Sequence, residues 1–172
     1  WMGDEYSKLI WVKTSWAFTW KPVELGWSKW RDIATSLWGI YVLEKYFEQK
    51  WIDMKWKTIA IQWAWNAWLN FANFIAEKWW KIVSISDSKW AIYDENWIDL
   101  DKVKKVKNDK KSIVDIKESE IITNEEILEK NVDILVLAAL ENQITTNNVH
   151  NIKANMILEL ANWPIVPDVD DI

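Results

Sequence analysis

Cysteine is absent from the 172 residues, and histidine occurs once, at His150. The first absence excludes a disulfide framework and a thiolate metal site, and the second excludes a histidine-built metal cluster. The absence of cysteine suits a reducing compartment, and the expected location is the cytoplasm. No apolar run reaches the roughly 20 residues that span a bilayer, and no signal-peptide pattern opens the chain; no membrane partner is expected. Positive charge is not in surplus either: the net charge is −5, with acids and bases interspersed. That argues against a nucleic-acid partner. Glycine normally makes up about 7% of a chain, yet it occurs here only 3 times.

Against that shortage stand 17 tryptophans, and they fall where glycine is missed. Trp51 follows the helical run "GIYVLEKYFEQK", at the position where a helix ends in a left-handed turn and glycine is favoured. Trp79 and Trp80 follow "LNFANFIAEK" in the same way. Trp97 closes "YDENW", where a turn would call for Asn-Gly. Trp56 and Trp90 sit in turns, and Trp27 and Trp30 flank a loop beside Gly26. Core tryptophans, or those of a sugar-binding face, should instead follow the period of a strand or helix. The expectation is that all but one of the tryptophans stand for glycine, through a UGA codon that the source cell reads as glycine. The chain begins at Trp1 rather than Met and reads as a fragment.

The stretch "KTIAIQWAWNAWLNFANFIAEKWWKIVSISDS", Lys57 to Ser88, carries the chemistry. It reads as a strand (57–62), a turn, a helix (about 66–78) and a second strand (81–87). With glycine at Trp63, Trp65 and Trp68 the turn becomes G-x-G-x-x-G. The first glycine permits the tight turn, the second admits a pyrophosphate to the backbone, and the third lets helix and strand pack closely. The helix N-terminus then offers free N–H groups to the phosphates. Asp87 ends the second strand at the spacing of a ribose 2′-OH ligand; a solvated acid at a strand end is the alternative.

The rest of the chain continues the alternation of helices and strands. A long helix near 31–49 should bury Ile33, Leu37, Ile40 and Leu43. "ITNEEILEK" reads as a capped helix, with Thr123 or Asn124 at its start and Glu126 closing a capping box. "VDILVLAA" (132–139) and "MILELAN" (156–162) read as buried strands, "TTNNVHNI" as a short helix, and "KVKKVKNDKK" as a solvated helix face and its trailing loop. The fold class is α/β, a Rossmann-like doubly wound domain with a mainly parallel sheet.

Read with glycine at the tryptophan positions, "TGKPVELGGSKGRDIATSLGG" (19–39), "KTIAIQGAGNAG" (57–68), "VSISDSKGAIYDENGIDLD" (83–101), "ITNEEILEKNVDILVLAALENQIT" (122–145) and "ILELANGPIVPDVD" (157–170) resemble the glutamate branch of the Glu/Leu/Phe/Val dehydrogenase family. Trp1, ahead of "DEYS", matches a true tryptophan of that family and is the one expected to be genuine. The resemblance implies NAD or NADP as cofactor and the reversible oxidative deamination of L-glutamate to 2-oxoglutarate and ammonia. It places residues 1–20 at the tail of a substrate domain and 21–172 in a dinucleotide-binding domain incomplete at its C-terminus. The family's catalytic lysine and aspartate belong to the substrate domain, so no catalytic residue and no metal ligand is expected here. Glutamate would be met through that missing domain, and a homo-oligomer, a hexamer in the family, is implied.

The resemblance also assigns coenzyme contacts residue by residue. Thr35 and Asn66 match nicotinamide-side ligands, Asp87 the adenosine ribose region, and Asn142 and Asn162 the ends of successive strands. Thr35 as an ordinary helix residue and the asparagines as helix caps remain alternatives. Arg31 is either a ligand for substrate or phosphate or a surface ion-pair partner. A non-catalytic Rossmann module that binds a nucleotide or a partner is the other function left open.

Overall fold

The structure is a computed structural model that describes residues 2–13, 24, 31–62, 71, 72, 74, 75, 78, 80–109 and 111–169, with 31 and 32 by backbone only. Helix α1 spans Met2–Ile10 and buries no residue; Lys8 pairs with Asp4 and Glu5 along its surface. Helix α2 spans Arg31–Lys50. Its buried positions are Ser36, Gly39, Ile40, Leu43 and Phe47, spaced as one helical face. Ile33 and Leu37, expected inward, are half-buried at the margin of that face.

Six strands follow: β1 (Thr58–Gln62), β2 (Lys81–Ser86), β3 (Ala91–Tyr93), β4 (Glu120–Ile122), β5 (Ile134–Leu137) and β6 (Met156–Glu159). They form one sheet in the order β4-β3-β2-β1-β5-β6. β2, β1, β5 and β6 are parallel. β3 and β4 extend the sheet antiparallel, as two short strands the sequence reading did not separate from loop.

Every residue of β5, and all of β1 after Thr58, is buried, as in a parallel sheet covered on both faces. Alternation divides them. Ile59, Ile61, Ile134 and Val136 join the cluster that holds Ile40, Leu43, Phe71 and Ile75. Ala60, Leu135 and Leu137 join the other face with Ile127, Leu128 and Ile144. Residues 71, 72, 74 and 75 are helical, within the helix expected after β1.

Helix α3 (Leu100–Asn108) carries the lysine run, buries only Val103, and is capped by Asp99, whose side chain accepts from the Asp101 and Lys102 N–H groups. "ITNEEILEK" departs from expectation. Its capping box forms: the Thr123 N–H donates to Glu126 Oε2 at 2.7 Å and the Glu126 N–H to Thr123 Oγ1 at 3.1 Å. No α-helix follows. The bonds from Leu128, Glu129 and Lys130 reach back three residues, making tight turns that set Ile127 and Leu128 into the core. "TTNNVHNI" likewise yields only a 3₁₀ turn at Val149–Asn151.

The backbone singles out the tryptophans. Among the described residues, the non-glycine residues with positive φ are Trp11 (57°), Trp51 (57°), Trp56 (65°), Asn142 (55°) and Trp163 (51°). This left-handed region is nearly free for glycine and costly for a side chain with a Cβ. The four indoles are exposed at 93%, 95%, 54% and 73%. Trp90 and Trp97 are also in exposed loop positions. Two described tryptophans depart from this pattern of exposed turn positions. Trp38 lies inside α2, though exposed, and Trp80 is buried.

Candidate nucleotide site

In an open α/β sheet, ligands bind outside the carboxyl ends of the strands where the order reverses. Here that point lies at the end of β1, between the connection to β2 on one side and β5 on the other. Gln62, the last residue of β1, leads directly into positions 63–68. The expected ligands Trp63, Trp65, Asn66 and Trp68 lie outside the described residues, as does the Arg31 side chain.

Around that point the carboxyl edge is built from three sets of residues. Helix α2 runs opposite to the parallel strands. Its residue 39 packs near Leu158 and Leu160 at the end of β6, while Phe47 meets Trp80 just before β2, with ring centroids 6.2 Å apart. The first contact is close: a Cβ on residue 39 would lie 2.7 Å from Leu160 Cδ2, the end of a flexible side chain. Thr35, one turn earlier, is therefore at the carboxyl edge, and it is exposed.

The second set joins the loops after β5 and β6. The Asn142 N–H donates to the Trp163 carbonyl at 2.9 Å, and the Gln143 and Ile144 N–H groups donate to the Pro164 carbonyl at 2.7 and 3.0 Å. Both loops turn at left-handed residues, Asn142 and Trp163. Asn142 and Asn162 are exposed at this zipped edge. Sequence reading missed Gln62 and Gln143. Gln62 is buried, and its Nε2 donates to Gln143 Oε1 at 2.5 Å, tying the end of β1 to the loop after β5. The available signal was a lone amide closing the apolar run "TIAIQ".

Asp87 is the third element. It follows β2 directly, and its side chain is 8% exposed. Oδ1 accepts from the Lys89 and Trp90 N–H groups at 3.0 and 3.1 Å. Oδ2 accepts from Lys107 Nζ at 3.0 Å, Ser112 Oγ at 3.2 Å and the Ile113 N–H at 3.3 Å. Two carboxylate oxygens offer about four lone-pair sites, and five donors occupy them. Burial alone would push this carboxyl up. The bonds from Lys89 N–H, Lys107, Trp90 N–H and Ile113 N–H outweigh it and lower the pKa from 3.8 to about 2. The acid is neither solvated nor open to a ribose in this arrangement.

The opposite edge of the sheet is structural. Asp133 accepts from Lys57 Nζ at 3.0 Å and from the Thr58 N–H and hydroxyl, each at 2.9 Å, clamping the starts of β1 and β5. A cavity of about 380 Å³ near the start of β2 is walled by Trp56, Trp80 and Trp97. It lies away from the carboxyl edge, and its indoles stand at turn positions.

Comparison with known proteins agrees with this architecture. The family model of Glutamate/Leucine/Phenylalanine/Valine dehydrogenase matches residues 26–172. The NAD-specific glutamate dehydrogenase of Staphylococcus aureus (strain COL) is 36% identical over 168 residues, covering 98% of this chain and 40% of that protein. The chain thus spans about two fifths of the length of the curated relatives it matches. Among solved structures, the hetero-hexameric glutamate dehydrogenase of Thermus thermophilus in its Leu-bound form superposes with a TM-score of 0.82 at 22% identity, over 98% of this chain and 39% of that one. At that identity the likeness shows the fold. The glutamate dehydrogenase of Peptoniphilus asaccharolyticus superposes with a TM-score of 0.71 at 29% identity, again over 98% and 39%. The sheet order, its switch point and these matches agree: the chain belongs to the Glutamate/Leucine/Phenylalanine/Valine dehydrogenase family.

Proposed function

We propose that this chain is the dinucleotide-binding part of a glutamate dehydrogenase and takes NAD or NADP at the carboxyl edge of its sheet. The observation that carries the reading is β1 ending at Gln62 on the switch point, directly before a W-x-W-x-x-W spacing. Four other tryptophans of the same chain hold left-handed backbone. That supports glycine as the encoded residue at positions 63, 65 and 68 as well, and glycine there fits a pyrophosphate. With indoles at those positions the site would be filled.

Bound, the nicotinamide accepts or returns the hydride in the oxidation of glutamate. The chain's part is binding and orientation. Thr35 and Asn66 supply a hydroxyl and an amide that match the donor and acceptor of the carboxamide. Asn142 and Asn162 line the zipped loops beside it. Residues 21–172 form this domain, and residues 1–20 belong to the connection toward the substrate-binding part, from which glutamate and the catalytic groups come. The absence of any buried residue in α1 supports that division. The assembled enzyme is a homo-oligomer, with the family's hexamer as its form.

The test begins with the coding DNA, which should carry UGA at the tryptophan positions other than Trp1. The full-length polypeptide, made with glycine at those codons, should oxidise glutamate with a nicotinamide coenzyme. The same polypeptide with indoles at 63, 65 and 68 should show no saturable coenzyme binding by calorimetry. Micromolar binding by the indole version sinks the reading.

A further inference from the structure

Gln62 is at odds with the strand it ends. By alternation it shares a face with Ala60, and it pairs in register with Leu137; both are fully buried and apolar. Gln62 itself is 3% exposed. Its amide orientation is set from the partner's side. Gln143 Nε2 donates to the Glu141 carbonyl at 2.8 Å, so Gln143 has its Oε1 to offer and accepts from Gln62 Nε2. Gln62 Oε1 is then left over, buried and without a partner among the described residues. For stability alone this is a poor arrangement, because a lone buried acceptor is costly and an apolar pair of the same shape would not be.

What the pair supplies is register between two parts of the carboxyl edge. Gln62 stands directly before the W-x-W-x-x-W spacing. Gln143 follows Asn142, and its N–H donates to the Pro164 carbonyl at 2.7 Å, two residues past Asn162. Asn148 braces the same loop: its Nδ2 donates to the Gln143 carbonyl, and its Oδ1 accepts from the Thr145 N–H, each at 2.8 Å. The loops after β5 and β6 thus form one braced unit, and the Gln62 amide ties that unit to the end of β1. Resting on the nucleotide-binding reading above, we infer that Gln62 and Gln143 are positioning residues for the nicotinamide half of the coenzyme. Their bond holds the loops of Asn142 and Asn162 at the separation from the phosphate turn that this half requires. The adenosine half, toward β2, does not depend on it.

The experiment is calorimetric binding of NADH, NADPH and ADP to the full-length enzyme, beside urea unfolding. Gln62→Met combined with Gln143→Met should raise the Kd for the coenzyme by about tenfold and leave that for ADP within about twofold. Each single change should weaken the coenzyme as much as the pair does, because either one breaks the bond. The urea midpoint of the double variant should equal or exceed the parent's, since the lone acceptor is gone. Gln62→Asn keeps the amide but draws it back by one carbon. It should reproduce the coenzyme-selective loss, and it decides the matter if the methionine pair does not fold. Coenzyme binding unchanged in a folded variant overturns this inference and leaves the nucleotide-binding reading standing. So do an equal loss for ADP, a double-variant midpoint below the parent's, and single losses that multiply in the double. A parent enzyme that binds neither coenzyme nor ADP overturns both.

Discussion

Glycine and tryptophan at the four left-handed positions can be weighed directly. Consider two versions of the polypeptide that differ only at Trp11, Trp51, Trp56 and Trp163. A residue with a Cβ in the left-handed region is strained by about 1–2 kcal/mol. Glycine removes that strain but gives back about 0.5–1 kcal/mol in unfolded-chain entropy. Little packing is lost with the indoles, which are mostly exposed. Trp56 is the exception, because Lys81 Nζ sits 5.5 Å from its ring centroid, a contact worth about 0.5–1 kcal/mol at an exposed site. The net gain is therefore about 0.5–1 kcal/mol at each of the other three positions and near zero at Trp56, or about 1.5–3 kcal/mol in all. For a domain of this size that raises Tm by about 3–12 °C. Thermal unfolding followed by far-UV circular dichroism reads it, with urea midpoints as a second measure. A glycine version equal to or less stable than the tryptophan version would refute the reasoning, because the strain would then not exist.

Three further outcomes follow from the geometry. Asp87 has a folded pKa of about 2 against 3.8. A depressed acid contributes stability that is fully present above its unfolded pKa and lost as pH falls through the folded one. Asp87→Asn should therefore cost about 2 kcal/mol near neutral pH, and this difference from the parent should vanish between about pH 4 and pH 2 in urea titrations. At Gly39 the clash falls on the end of a flexible leucine and alanine is the better helix former by about 1 kcal/mol, so Gly39→Ala should change stability by less than about 1 kcal/mol, while the longer Gly39→Ile should cost about 1–3 kcal/mol. Trp80 Nε1 is buried without a partner among the described residues. In a version that keeps the indole, Trp80→Phe should raise the urea midpoint by the equivalent of about 1 kcal/mol, and a lower midpoint would mean that the N–H is paired after all.

What could be read in advance divides along physical lines. β1, β2 and β5 were legible because their burial is nearly continuous, with "IAI" and "ILVL" apolar without interruption as in a sheet covered on both faces, whereas β6 buries only Leu158 and was read from the apolar start of "MILELAN". Helix α2 was legible from its period. β3 and β4 were not, since three-residue strands leave no pattern to detect. The helix expected at "ITNEEILEK" failed because a capping box governs only how a turn begins; Ile127 and Leu128 had to reach the core in the few residues available. Within the site, the spacing placed Asp87 correctly at the end of β2 but could not show which way its charge faces. That depended on Lys107, Ser112 and Ile113, each 20 or more residues away. The Gln62–Gln143 bond, across 81 residues, was beyond any local signal for the same reason.

The clamp of Lys57 and Thr58 on Asp133 joins residues 76 and 75 apart in the chain. It has a consequence for the order of assembly. β1 pairs with β2 through a local connection, but it meets β5 only after the intervening 70-odd residues have closed a long loop. The two halves of the sheet therefore have different entropic barriers, and β1 is the strand that both must share. Topology of this kind slows folding. The β5–β6 half can open while β1 and β2 stay paired, whereas β1 can be released only when both halves are lost. In native-state hydrogen exchange the amides of Ile59, Ala60 and Ile61 should accordingly be the last to exchange, at the free energy of global unfolding. Those of β6 should exchange earlier, through a partial opening that bares the ends of the loops at Asn142 and Trp163.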